Sequence, residues 1–278
     1  MLHLLTNFLL FYAGAIMALS LLGRFFKEGR FYARMLSYYF LLLTCTAYGV
    51  VASVALRAVG KVSIAQWTTA RAFKNTACPL IGIEFEVENE EWLETRPAVF
   101  VSNHQTELDI LILGRLFPKH CSVTAKSSLK YIPFLGWFMA LSGTVFIDRS
   151  NRKSAIAAFD GAIREIRDNK QSVWIFPEGT RSHFATPDLL PFKKGAFHLA
   201  IQAGVPIVPV VVANYSHVLH VRDRSFEQGL IKIKVLEPIV TKGMTGADVD
   251  ELVIKTRENM LDELKLISVR GVDLKKRS

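Results

Sequence analysis

The first quarter of the chain contains two long apolar stretches. Residues 2–23 and 35–56 each run for 22 residues without an Asp, Glu, Lys or Arg. A helix of that length is roughly 33 Å long, which is enough to cross the hydrocarbon core of a bilayer. Buried helices of a soluble core are the alternative, but such helices usually carry a polar stripe, and neither stretch has one. The pattern therefore predicts two N-terminal membrane-anchoring helices.

Basic residues flank both apolar stretches. They are Arg24, Lys27, Arg30 and Arg34 between the stretches, and Arg57, Lys61, Arg71 and Lys74 after the second one. Because positively charged loops tend to stay on the cytoplasmic side, we expect a hairpin that enters and leaves the membrane by the cytoplasmic face, with residues 24–34 as its loop. A cleaved secretory signal is a weaker alternative, because no basic segment precedes the first stretch.

The overall charge favours a partner of negative charge. The chain has a net charge of +9 and a mean hydropathy of +0.26. Together with the apolar stretches, this favours membrane lipids as partners, although basic residues that only keep loops soluble are the alternative. Nucleic acid is not expected, because no aromatic-basic recognition motif accompanies the charge. Cys45, Cys78 and Cys121 match neither a disulfide framework nor a zinc knuckle, which favours a reducing compartment.

From about residue 77 the pattern becomes that of a globular α/β domain. Residues 81–87 alternate between apolar and polar positions, which predicts a strand with one wet face. Further strands are predicted at 98–101, 122–125, 144–147, 172–176, 207–213 and 231–235, and helices at 155–166 and 249–264. We therefore predict an α/β fold with a mixed sheet covered by helices. A membrane-anchoring helical hairpin at 1–60 would precede a catalytic domain at 75–278.

Clusters of reactive residues directly follow three of the predicted strands. The clusters are Asn103-His104 to Asp109, Asp148-Arg149, and Glu178-Gly179-Thr180-Arg181. Ligands of open α/β sheets bind beyond the carboxyl ends of the strands. Three loops at one edge of the sheet can therefore build one site.

The first cluster combines a helix-start signal with a histidine. Thr106 and Asp109 fit the pattern in which a Thr opens a helix and an acid three residues later folds back. In a regular helix, residues five apart are rotated by roughly 140°, so His104 and Asp109 meet only if His104 lies in a turn before the helix. The alternative is a capping acid beside an unrelated loop histidine.

The heptapeptide at 103–109, Asn-His-Gln-Thr-Glu-Leu-Asp, resembles the H-x-x-x-x-D block of the glycerolipid acyltransferases, the 1-acylglycerol-3-phosphate acyltransferase family. Segments 143–149, 176–181 and 205–210 resemble the other blocks of that family in the expected order, and the apolar stretches resemble its membrane anchor. The resemblance implies transfer of a fatty acyl group from acyl-coenzyme A to the sn-2 hydroxyl of lysophosphatidic acid, which gives phosphatidic acid.

The resemblance also implies the roles of the catalytic residues. His104 would be the general base, and Asp109 would be its orienting partner. Since the thioester of the co-substrate acyl-coenzyme A is already activated, no protein nucleophile, cofactor or metal is expected.

Several cations are candidates for binding the acceptor's phosphate. Arg181 is the first, because a planar guanidinium can grip phosphate with paired hydrogen bonds. Lys126, just after a predicted strand, is the second candidate, and Arg149 and either Lys193 or Lys194 are weaker ones. Any of these can also be an ordinary solvated cation. The predicted substrate-binding turn also contains Glu178, Gly179 and Thr180. We expect Glu178 to order Arg181 or the turn rather than to act as an acid.

Three further signals leave alternatives open. His217 and His220 have a ligand-like spacing, but no third ligand is near, so a metal site is not expected. The aromatic segment at 134–139 can line an acyl pocket, bind the membrane surface or pack in the core. The C-terminal Lys275-Lys276-Arg277-Ser278 resembles the dilysine signal of endoplasmic reticulum membrane proteins, which would place the active site in the cytosol, whereas a solvated basic tail is the alternative.

Other functions compete with this prediction. A relative of the family can use another acceptor, such as glycerol 3-phosphate or a lysophospholipid with a headgroup. A catalytically inactive lipid-binding membrane protein belongs to a different class. A serine hydrolase is disfavoured, because the chain contains no G-x-S-x-G segment.

Overall fold

The computed structural model describes residues 2–148 and 152–275, and it begins with two helices. Helix α1 (Leu2–Leu22) packs against α2 (Lys27–Ala58), and a turn at 23–26 joins them. Among the described residues, α2 is the one helix that is long and apolar enough to cross a membrane, whereas Thr6–Leu22 of α1 is a shorter apolar helix. The prediction of two membrane-anchoring helices is therefore supported for α2 only.

The segment at 24–34, which was expected to be a loop, is mostly helical. Helix α2 begins at Lys27, so Arg30 and Arg34 lie on the helix. Two glycines allow so short a turn: a Cβ on Gly29 would stand 2.8 Å from the backbone nitrogen of Gly23. The close approach of these two backbones replaces the predicted loop with a tight helical hairpin.

Helix α2 is held by the globular part of the chain at widely separated points. The Tyr38 hydroxyl donates a hydrogen bond to the carbonyl oxygen of Glu107 at 2.7 Å. Nineteen residues later, the Arg57 guanidinium donates to the carbonyl oxygen of Leu141 at 2.8 Å. Helix α2 therefore belongs to the packing of the domain.

A mixed sheet forms the centre of the domain. The strands are β1 (Ile83–Glu88), β2 (Val99–Ser102), β3 (Cys121–Lys126), β4 (Val145–Ile147), β5 (Ser172–Ile175), β6 (Ile207–Val212), β7 (Leu219–His220), β8 (Ser225–Phe226) and β9 (Gly229–Val235). Strands β7 and β8 form a separate hairpin, and the others lie in the order β1-β9-β6-β2-β5-β3-β4. Neighbours in this sheet are parallel, except that β6 and β9 are antiparallel. The predicted α/β fold with a mixed sheet is confirmed.

Helices cover both faces of the sheet. Besides α1 and α2, they are α3 (Ala65–Ile81), α4 (Asp109–Leu116), α5 (Leu135–Leu141), α6 (Arg152–Asn169), α7 (Gly195–Ala203) and α8 (Val249–Lys275). Side chains of α2, α3 and α4 form one core with Phe100 and Trp174, and side chains of α6, α7 and α8 form a second core with Val99 and Val101. Successive side chains of β2 enter opposite cores because side chains alternate along a strand.

The strand boundaries agree closely with the apolar runs of the sequence. Ile81 is the exception, because it ends α3 and Gly82 stops that helix with a left-handed φ of 64°. The division into ranges 1–60 and 75–278 stays a prediction, and residue 75 lies inside α3, which packs against both α2 and α4. Strands β2, β3, β5 and β6 are mutually parallel, so the loops that follow them meet at one edge.

Candidate active site

His104 and Asp109 lie in contact at this edge of the sheet. Strand β2 ends at Ser102, and the loop after it places Nδ1 of His104 2.6 Å from Oδ2 of Asp109. The loop is fixed by Asn103, which exchanges two 2.9 Å hydrogen bonds with the backbone of Val212 on β6. His104 thus lies in a turn before the helix, and this turn brings its side chain to that of Asp109.

Asp109 is the centre of this turn. Its Oδ2 also accepts hydrogen bonds from the backbone nitrogens of Gln105 at 2.6 Å and Thr106 at 3.2 Å. The acid thus folds back onto the preceding turn as expected, but α4 begins at Asp109 and not at Thr106. The carboxylate satisfies the N–H groups that would otherwise point into a buried turn, which explains why it can be buried as an anion.

The contact with Asp109 defines how the His104 ring can act. A carboxylate accepts a proton-bearing nitrogen, so the pair holds the proton on Nδ1 and leaves the lone pair on Nε2. The ring also stacks on Phe176, with centroids 4.2 Å apart. The side chain of His104 is 24% exposed, whereas that of Asp109 is 4% exposed. The imidazole is therefore oriented by a buried partner and open to a substrate.

Tyr215 is a member of this site that the sequence analysis missed. Its hydroxyl donates to Oδ1 of Asp109 at 2.6 Å and accepts from the backbone nitrogen of Thr106 at 3.0 Å. The residue is fully buried, and burial raises the pKa of its hydroxyl well above the ordinary value, so it stays a neutral donor. The only signal available was its position shortly after β6, whose carboxyl end lies at the same edge as His104.

Glu178 joins two loops of the site. Its Oε1 accepts the backbone N–H of His104 at 2.6 Å, and its Oε2 accepts the backbone N–H of Leu190 at 2.9 Å. Burial raises the pKa of this carboxyl to about 7, against the opposing effect of the two N–H donors. Glu178 therefore orders the turn, as expected, and it also positions the backbone of His104, which the sequence analysis did not anticipate.

Arg181 lies at the open side of the site. Its guanidinium is 40% exposed and donates to Oε1 of Glu107, a residue of the loop between His104 and Asp109. The expected partner, Glu178, is occupied by backbone donors instead. Gly179 has a φ of 71°, and a Cβ there would stand 2.8 Å from Nζ of Lys193, so the turn and this lysine lie against each other.

The other predicted substrate-binding residues lie at varying distances from His104. Thr180 is exposed on the same turn as Arg181. Lys126 is exposed at the end of β3, which is separated from β2 by β5. Lys194 pairs with Asp250 at 2.5 Å, and Arg149 lies outside the described residues. Hydrogen bonds thus link the Glu178 turn to His104 and Arg181 to Glu107 of the same loop, and Lys194 is paired with Asp250.

A cavity of about 260 Å³ lies beside Phe176, the ring on which His104 stacks. Its lining includes Phe176, on which the ring stacks, together with apolar side chains such as Ile147, Phe159 and Ile175, and Lys193. The aromatic segment at 134–139 is not part of this lining. There, Phe134 and Trp137 are exposed, while Phe138 and Met139 pack inward.

Comparison with known proteins agrees with this geometry. The acyltransferase family model matches residues 84–213, which include His104, Asp109, Glu178 and Arg181. The chain is 45% identical to the 1-acyl-sn-glycerol-3-phosphate acyltransferase of Saccharomyces cerevisiae over 249 residues, which cover 90% of this chain and 81% of the relative. It is 41% identical to the human 1-acyl-sn-glycerol-3-phosphate acyltransferase beta over 248 residues, covering 87% and 86%. The crystal structure of the 1-acyl-sn-glycerophosphate acyltransferase of Thermotoga maritima superposes with a TM-score of 0.69 at 25% identity, covering 86% of this chain and 98% of that one.

Proposed function

Because the chain belongs to the 1-acyl-sn-glycerol-3-phosphate acyltransferase family, we propose that it transfers a fatty acyl group from acyl-coenzyme A to the sn-2 hydroxyl of 1-acyl-sn-glycerol 3-phosphate. The product, phosphatidic acid, would serve phospholipid synthesis. The observation that carries the proposal is the 2.6 Å contact between His104 and Asp109, which leaves Nε2 of a partly exposed imidazole to take a proton.

The reaction needs one proton acceptor and one well-placed thioester. Nε2 of His104 takes the proton of the sn-2 hydroxyl as its oxygen attacks the thioester carbonyl. The new C–O bond forms, the C–S bond breaks, and the departing thiolate of coenzyme A receives the proton from His104. Asp109 stabilises the imidazolium in between, and its buried hydrogen bonds keep the ring in one orientation. The protein contributes position and proton transfer.

The acceptor's phosphate is proposed to bind Arg181. This guanidinium is half-exposed and its partner Glu107 lies on the same loop as His104 and Asp109. A phosphate at Arg181 would therefore place the attached glycerol close to the catalytic pair. Lys126 and Arg149 stay secondary candidates for the same role.

Membrane association is supported by exposed apolar surface near the site. The exposed large apolar residues include Phe8, Phe11 and Met17 on α1, Tyr39, Phe40 and Leu43 on α2, and Tyr131, Ile132, Phe134 and Trp137 near α5. Since α2 also bonds to the loop of Glu107, the hairpin and the active site would lie at the same membrane surface. We propose the endoplasmic reticulum membrane with a cytosolic active site, and the basic flanks of the apolar segments support the cytosolic side.

The test is acyl transfer by the purified full-length protein. Labelled acyl-coenzyme A is supplied with lysophosphatidic acid, glycerol 3-phosphate or no acceptor, in vesicles of one fixed composition. We expect labelled phosphatidic acid that depends on lysophosphatidic acid. Preferred use of glycerol 3-phosphate would reassign the acceptor. Binding of lysophosphatidic acid without any product would favour the inactive lipid-binding alternative.

A further inference from the structure

Glu107 lies between the catalytic pair and the proposed phosphate ligand. In the chain it stands between His104 and Asp109, and its Oε1 accepts a hydrogen bond from Nη1 of Arg181. Its backbone carbonyl accepts the Tyr38 hydroxyl at 2.7 Å, so the residue is fixed from the side of α2. The side chain is 20% exposed. An acceptor whose phosphate binds Arg181 would therefore also lie next to the Glu107 carboxylate.

The two carboxylate oxygens of Glu107 have different surroundings. Oε1 bonds to Arg181, whereas Oε2 is buried and has no hydrogen-bond partner among residues 2–148 and 152–275. Leaving a buried charged acceptor without a donor is unfavourable, and here the charge of Arg181 compensates it. Within the described residues, Arg181 is therefore the donor on which this carboxylate depends.

Binding of a phosphate to Arg181 would disturb this balance. The phosphate competes with Oε1 for the same guanidinium, and the anionic carboxylate would then face an anionic ligand. An acceptor that carries only a phosphate leaves this repulsion uncompensated. An acceptor that also carries a cation next to its phosphate would supply the charge that Glu107 loses.

We propose that Glu107 selects the acceptor headgroup by binding the ammonium of a zwitterionic lysophospholipid, so that the acceptor range includes lysophosphatidylethanolamine. This inference rests on the acyl transfer proposed above and extends its acceptor. The ethanolamine ammonium is two carbons from the phosphodiester oxygen, so the phosphate can bind Arg181 while the ammonium binds the adjacent carboxylate. A primary ammonium has N–H donors for Oε1, the oxygen that now bonds to Arg181, whereas the quaternary ammonium of choline has none.

The neighbouring cations leave Glu107 available for this role. His183 lies within electrostatic reach of both Glu107 and Arg181, and burial, the largest influence, lowers the pKa of its imidazole. It is therefore mostly neutral near pH 7 and does not compete with an ammonium for the carboxylate. Among the described residues, Arg181 is the basic side chain that hydrogen-bonds to Glu107. When the phosphate binds, this guanidinium bonds to the phosphate instead.

The test compares acceptors that share one acyl chain and differ only in the headgroup. Initial rates are measured with full-length protein at fixed acyl-coenzyme A while lysophosphatidylethanolamine, lysophosphatidylcholine or lysophosphatidic acid is varied in the same vesicles. We expect the wild type to acylate the ethanolamine lipid more efficiently than the choline lipid. Glu107→Gln should lower kcat/KM for the ethanolamine lipid about tenfold, because a charge-assisted hydrogen bond is lost. The loss for lysophosphatidic acid, which carries no ammonium, should be clearly smaller.

Glu90→Gln is the matched control. Glu90 pairs through both oxygens with Arg115 in the last turn of α4, whereas Asp109 lies at the start of that helix, so the loss of Glu90 should change all acceptors alike. Transfer to lysophosphatidic acid without transfer to the ethanolamine lipid would overturn this inference and leave the proposed function intact. Equal losses for both lipids in Glu107→Gln would overturn it too, since Glu107 would then only hold Arg181. Transfer to neither lipid counts against the proposed function itself.

Discussion

The catalytic pair and the Arg181–Glu107 pair lie on adjoining loops but are built in opposite ways. Asp109 is buried and accepts hydrogen bonds from the His104 ring, two backbone nitrogens and the Tyr215 hydroxyl. Arg181 is 40% exposed, and one oxygen of its partner Glu107 has no donor within the described residues. The first arrangement is complete before substrate arrives, which reduces the reorganisation needed during the reaction. The second can exchange its partner for a ligand. The residues proposed for the chemistry are thus held rigidly, and the pair proposed for acceptor recognition can change partners.

The largest effect is expected where the rigid pair is broken. His104→Ala should leave the protein folded and membrane-bound, yet lower turnover by at least roughly 10²-fold, because the general base is lost. Asp109→Asn should change turnover in the same direction. Steady-state rates with lysophosphatidic acid measure the effect, and His198→Ala, an exposed histidine on α7, is the matched control. Near-normal turnover by a folded His104→Ala protein would eliminate the proposed mechanism.

A change in the Arg181–Glu107 pair should alter kcat/KM by an amount that depends on the substrate. Arg181→Ala should lower kcat/KM for the phosphate-bearing acceptor by some tenfold to 150-fold, because a charge-assisted contact worth about 1.5–3 kcal/mol is lost. The effect of Arg181→Ala on kcat/KM for acyl-coenzyme A should be much smaller. Arg181→Lys should recover only part of the loss, since a point charge cannot form the paired contact. An acceptor without phosphate is the control. Equal losses for both acceptors would assign Arg181 to the fold or the donor.

Tyr215 allows a test of whether the hydrogen bonds around Asp109 support turnover, while His104 and Asp109 themselves stay in place. Tyr215→Phe deletes the hydroxyl that donates to Asp109, and we expect kcat to fall about tenfold with little change in KM. In an Asp109→Asn background, the same change should have a much smaller effect, because the carboxylate it supports is already gone. Tyr12→Phe, which removes a hydroxyl that bonds to the Leu36 carbonyl, is the control. Additive losses in the double variant would mean that Tyr215 acts independently of Asp109.

The smallest effect is expected in the pH dependence of stability. The carboxyl of Glu178 has a pKa of about 7 in the fold, above its ordinary value of 4.5, because it is buried. Between these two values the folded state binds more protons than the unfolded state, so the contribution of Glu178 to the free energy of unfolding falls as the pH rises. The Tm of the wild type should therefore drop from pH 5 to pH 8 relative to that of Glu178→Gln. A Tm difference between the wild type and Glu178→Gln that stays constant from pH 5 to pH 8 would contradict this assignment. So would a pH-dependent Tm difference of the same size between the wild type and Glu237→Gln, which changes an exposed carboxyl.

Some of the site was accessible to sequence reasoning because it depends on local spacing. The apolar runs predict the buried strands, since a strand covered on both faces contains few polar side chains. The five-residue separation of His104 and Asp109 implies a turn before the helix, since a regular helix would rotate the side chains apart. The reversal of β9 against β6 and the short β7–β8 hairpin were beyond reach, because nothing in those short segments specifies their partners.

Periodicity along the chain was enough to predict the fold class and the strands, and the family resemblance of short segments pointed to His104, Asp109 and the Glu178 turn. The partners of these residues could be found only in the folded chain. Tyr215 reaches Asp109 across 106 positions of the chain, and Arg181 meets Glu107 rather than its near neighbour Glu178. Packing also decided that α2 lies along the domain, next to the loop of the site. Contacts of this kind form when distant strands pair and bring their loops to one edge, and such pairing leaves no local signature in the sequence.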